Sequence, residues 1–93
     1  MAVNMSPELE TLDQLLTGPL PLAIIRRVFP DSDAFTRGVL GLLTSGDVRL
    51  LENESQNEVP GWRWRELFID GNVIQMLGNF ELHITDQDAG RVA

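Results

Sequence analysis

Every base in this chain is an arginine. Six of the seven, Arg26, Arg27, Arg37, Arg49, Arg63 and Arg65, lie between residues 26 and 65, and lysine is absent. A guanidinium is planar and permanently charged, and its paired N–H donors fit the edge of a phosphate or a carboxylate. Arg49, Arg63 and Arg65 fall at alternating positions of two runs read below as strands, which places them on one face. There they suit phosphate or a carboxylate-bearing partner. The competing reading pairs them across the strands with Glu52, Glu54 or Glu58.

Other chemistry is sparse. His83 alternates with Leu82 and Ile84 and is expected to face solvent; a lone histidine with no second ligand is neither a metal site nor a catalytic one. With no cysteine there is no disulfide framework and no thiolate metal site. No G-x-x-x-x-G-K, H-E-x-x-H or G-x-S-x-G pattern occurs, and no paired carboxylates suggest acid–base work. The expectation is a protein that is not an enzyme and needs no cofactor.

Charge and hydropathy narrow the class further. The chain has 93 residues, 43% of them apolar, and a net charge of −7, which allows one domain with one small core. Residues 1–25 hold three acids and no base, residues 26–65 balance six arginines against six acids, and residues 66–93 hold five acids and Arg91. The whole excess therefore sits at the two ends. An acidic chain repels phosphate backbones at long range, although a local arginine site escapes that argument. No apolar run approaches the roughly 18 residues that span a bilayer, and the first residues lack a basic leader region. The expected location is cytoplasmic, without membrane contact.

The elements that must position the arginines are marked by caps and by period. Ser6-Pro7-Glu8 opens a helix expected over 7–17, with Leu9, Leu12, Leu15 and Leu16 inward and Gly18-Pro19 as its stop. Pro21 opens a second over 21–29, with Leu22, Ile25, Val28 and Phe29 inward and Arg26 and Arg27 outward; Leu20 sits in a short extended link before it. Asp31 or Asp33 caps a third over 33–45, whose Phe35, Val39, Leu42 and Leu43 form one stripe. Gly46 ends that helix, and Val48 and Leu50 then alternate with Arg49 and Leu51 in a strand over 47–52. ENESQNEVPG reads as a polar loop, and Trp62 to Ile69 as the return strand, with Trp62 and Trp64 in the core; the competing reading makes them an exposed protein-binding patch. Asp70-Gly71 and Gly78-Asn79 bracket a short strand over 73–77 and precede another over 80–85, and Thr85 to Asp88 could cap a last helical turn. The ordered core is expected over 7–85, with fraying at 1–5 and 89–93.

Three helices, a glycine stop and a hairpin resemble the winged-helix (winged helix-turn-helix) superfamily. The likeness is carried by LETLDQLLTGPLPLAIIRRVF, DAFTRGVLGLLTSGDVRLL and WRWRELF, and by the ending LHITDQDAGRVA. The resemblance implies an α+β fold in which the third helix enters a DNA major groove and the wing touches the backbone. It makes Ser32, Asp33, Thr36, Arg37 and Gly41 the positions that could read bases. Of these only Arg37 can form the bidentate guanine contact. Arg26, Arg27, Arg49, Arg63 and Arg65 would meet phosphates of double-stranded DNA, with the protein a regulator and a homodimer. Many winged helices bind proteins instead. For that alternative the small-residue face Ala34, Gly38, Gly41 and Ser45 would admit a partner closely, and the acidic ends would suit a basic one. The bland account of that face is a helix crossing within the same core.

Overall fold

The computed structural model describes residues 6–85; the expected caps at 86–88 and the expected fraying at both ends lie outside the described residues. Helix α1 runs Pro7–Leu15, strand β1 Leu20–Pro21, helix α2 Leu22–Arg26, helix α3 Ser32–Ser45, strand β2 Val48–Glu52 and strand β3 Phe80–Ile84. The result is mixed α and β structure, with the helices packed on one three-stranded antiparallel sheet in the order β1-β3-β2.

Local chemistry sets the helix ends. The Ser6 hydroxyl accepts from the Leu9 N–H at 3.2 Å, and proline follows it at the first helical position, where no donor is needed. Asp31 rather than Asp33 caps α3, accepting from the Ala34 N–H at 2.8 Å. At the other end of α3, Gly46 takes a φ of +85°, which turns the chain straight into β2 while the N–H groups of Gly46 and Asp47 close on the carbonyls of Leu43 and Leu42. The first two helices are shorter than their sequence spacing suggests. α1 stops at Leu15, and beyond α2 residues 27–29 continue only as i→i+3 turns, with Phe29 N–H bonded to the Arg26 carbonyl at 3.2 Å. Pro30 disfavours αR for the residue before it, which limits that extension.

The core follows the expected stripes closely in α2 and α3. Leu22, Ile25, Phe29, Phe35, Val39, Leu42 and Leu43 are all buried, and the Phe29 and Phe35 rings meet edge to face at 5.8 Å. α1 departs from expectation. It buries Leu15 and Thr11, the latter with its hydroxyl donated to the Pro7 carbonyl, while Leu9 is 56% exposed and Leu16 70% exposed. Leu12 is half-buried against the core.

The partner of β2 is the main correction. β2 pairs with β3, with Val48 opposite Ile84, Leu50 opposite Leu82 and Glu52 opposite Phe80, and not with residues 62–69. β3 offers what a central strand needs: Phe80 and Leu82 are buried on the same side as Val48 and Leu50, and Leu82 also stands opposite Leu20 of β1. Residues 61–79 instead form helical turns. Gly61–Arg63 is a 3₁₀ turn, Arg65–Ile69 closes a wide turn through the Asp70 N–H to Arg65 carbonyl bond at 3.0 Å, and Asn72–Asn79 is two 3₁₀ turns meeting at a kink at Met76. Here the helical spacing of Trp64, Leu67 and Phe68 outweighs the alternation of Trp62, Trp64, Glu66 and Phe68. Leu67 and Phe68 are buried, Trp64 packs at the core margin, and Trp62 is 77% exposed. The expected strand at 73–77 is likewise replaced by helical turns that bury Val73. ENESQNEVPG turns back sharply at Gln56, and the Val59 N–H bonds the Leu50 carbonyl at 2.8 Å, covering the outer edge of β2.

Candidate functional site

The outward stripe of α3 runs through Asp33, Arg37, Gly41 and Thr44, one residue per turn. It is the surface from which base contacts would come. Arg37 is 76% exposed and extends toward Asp33, one turn earlier, with which it pairs at 3.0 Å. Thr44 returns its hydroxyl to the Leu40 carbonyl at 2.7 Å. Thr36 is not on this stripe: it is buried and donates to the Asp33 carbonyl at 3.1 Å, so its side chain is not available to a base. Ser32 is half-buried beside Arg26.

The small-residue face divides into two halves. Ala34 packs against the core, and Gly38 is buried where α3 passes α2 and α1. A methyl group at Gly38 would run into the Phe29 ring and lie 2.8 Å from a Glu8 carboxylate oxygen. For these two residues a helix crossing within one core accounts for the small side chains. Gly41 and Ser45 are exposed; space beyond Gly41 is open, and the Ser45 hydroxyl donates to the Asp47 carboxylate at 2.8 Å.

The remaining arginines do not share one face. Arg26 bridges the α2–α3 turn, donating to the Phe29 carbonyl at 3.1 Å and reaching the Ser32 hydroxyl at 3.5 Å. Its role there is structural. Arg49 on β2 pairs with Glu58 at 3.3 Å, and Arg63 on the first turn after Pro60 pairs with Glu52 at 3.4 Å and Glu66 at 3.7 Å. Arg27 and Arg65 are exposed and make no ion pair among the described residues. Exposed pairs of this kind add at most about 1 kcal/mol each to stability. Their larger effect is on the field, because a carboxylate within 4 Å cancels most of the positive potential an approaching phosphate would feel.

Between α3 and the helical turns lies a groove of about 450 Å³, with Arg37 and Leu40 on one wall and Phe68, Ile69 and Ile74 on the other. Ile69 is 61% exposed at its rim. Strand alternation puts Trp62 on the core face and Leu67 on the outer one, the reverse of what is found; the discriminating signal is the i, i+3, i+4 spacing of Trp64, Leu67 and Phe68, which leaves Trp62 outside.

His83 is half-buried rather than solvated, with Nε2 at 2.6 Å from a Glu81 carboxylate oxygen. That hydrogen bond holds the Glu81 carboxyl below its ordinary range, against the opposing cost of burial and with help from the Gln56 amide. No group of three or more candidate metal ligands occurs among the described residues, and none of their helices is long and apolar enough to cross a membrane. No protein-family model, curated protein or solved structure matches the chain.

Proposed function

We propose that this chain is a winged-helix domain whose ligand is another protein, an adaptor without a catalytic role. The element order and the β1-β3-β2 sheet support the winged-helix reading, with residues 53–79 standing where the wing would be. Fold leaves the ligand open. The observation that carries the choice is the state of that wing. Where a DNA-binding hairpin would present free bases, helical turns present Trp62 and Ile69, and Arg49 and Arg63 are held by Glu58, Glu52 and Glu66. An exposed tryptophan, and an exposed isoleucine at the rim of a groove, are the kind of anchors that protein interfaces bury.

The second reading, a DNA-binding regulator, is favoured by the exposure of Arg37 on α3 and by Arg27 and Arg65, which have no acidic partner among the described residues. On that reading Arg37→Ala weakens specific binding, whereas Arg63→Ala/Arg65→Ala lowers affinity for every sequence and flattens the salt dependence by about two units. A fluorescence-anisotropy titration against random duplex at about 50 mM and about 200 mM salt separates the readings, since phosphate-driven affinity collapses over that range. The adaptor shows no binding at either salt. Salt-sensitive binding at the lower one would make the regulator the better account.

A further inference from the structure

The outer side of α1 is apolar where solvent-facing helices are normally polar. Leu9 and Leu16 are 56% and 70% exposed, in the same range as Trp62 and Ile69, and half-buried Leu12 lies between them. Their spacing of three and then four is that of the seam along which one helix packs on another. Two of the three acids of α1, Glu10 and Asp13, lie along one side of the seam, the third, Glu8, facing Gly38, and no base occurs in residues 1–25. At its far end the seam runs into a cleft of about 260 Å³ lined by Leu16, Pro19 and Ile84. We propose that this seam docks a basic amphipathic helix of a partner protein, with leucine or isoleucine on the seam and lysine or arginine beside it. This extends the protein-binding reading to a second surface, separate from Trp62 and Ile69.

A second copy of the chain fits less well. Two such helices would set acid against acid. The seam from Leu9 to Leu16 is also only about 11 Å long, at 1.5 Å per residue, too short to bury the area of a stable dimer by itself. A helix of opposite charge gains attraction from the same acids, and a contact of this size is expected to be weak and salt-sensitive.

The test uses a fluorescein-labelled peptide of about 20 residues, long enough to populate a helix, with leucine at heptad seam positions and lysine at the flanks. A matched peptide with glutamate replacing lysine is the control. The full chain binds the lysine peptide and not the glutamate one. Leu9→Ala/Leu16→Ala, which keeps every acid and removes no buried side chain, melts as the wild type does and binds about tenfold more weakly or worse. Trp62→Ala/Ile69→Ala binds as the wild type does, so failure at the wing surface and failure at the seam are read separately. Equal binding by wild type and Leu9→Ala/Leu16→Ala would overturn the proposal, because charge alone would then explain it. Absence of binding, or equal binding of the glutamate peptide, would overturn it too. A wild-type dimer in sedimentation equilibrium that Leu9→Ala/Leu16→Ala dissociates would replace the basic helix with a second copy.

Discussion

Gly38 and Gly41 look alike in sequence and are opposites in place. Gly38 lies where the Phe29 ring and Glu8 leave no room for a methyl group, so Gly38→Ala forces a shift in a packed crossing and should cost about 1–3 kcal/mol. Gly41 has nothing within 4 Å of where a Cβ would stand, so Gly41→Ala should gain up to about 1 kcal/mol from helix propensity. Denaturant unfolding of the two variants reads both signs. The Glu81–His83 pair sets a second expectation. Folding lowers the Glu81 carboxyl below its ordinary value of 4.5, so the pair stabilises the fold above that value, and this contribution is lost as pH falls through the lowered folded value. Glu81→Gln should therefore unfold with a shallower dependence on acid than the wild type, measured by melting temperature against pH. An unchanged acid slope would show that Glu81 is not held in this way.

At the scale of elements, residues whose local chemistry admits one solution were legible in the sequence. Ser6-Pro7, the stripe of α3 and Gly46 each fix a boundary or a face by hydrogen bonding or period, and the folded chain uses them as expected. Pairing between strands was not legible in the same way, because register depends on which distant run completes a buried face. Phe80 and Leu82 complete it; Trp62 and Trp64 have the right alternation and the wrong neighbours. The same limit applied to the candidate site: two periods compete over residues 62–69, only one of which leaves Trp62 exposed, and the pairing of Arg63 with Glu52 does not follow from spacing. This arrangement has a direct mutational signature. Leu67→Ala should cost about 2–5 kcal/mol, because Leu67 is fully buried, and Trp62→Ala should leave stability within about 0.5 kcal/mol. A return strand with Trp62 inward demands a large loss at Trp62. Phe35→Ala, at the start of α3's buried stripe, should cost about 3–5 kcal/mol and unfold much of the population.

For the whole molecule the governing fact is how charge is distributed. The chain carries twice as many acids as arginines, and the fold places carboxylates of Asp33, Glu52 and Glu58 beside Arg37, Arg63 and Arg49. On the protein-binding proposal these acids, more than the shape of the domain, keep the surface from attracting a phosphate backbone. The direct measurement is duplex-DNA anisotropy at about 50 mM salt for the wild type beside Asp33→Asn/Glu52→Gln/Glu58→Gln, which keeps size and hydrogen-bonding capacity while removing the paired carboxylates of Arg37 and Arg49 and one of the two beside Arg63. The account predicts no binding by the wild type and salt-sensitive binding by the triple variant. Wild-type binding as tight as the variant's would contradict it.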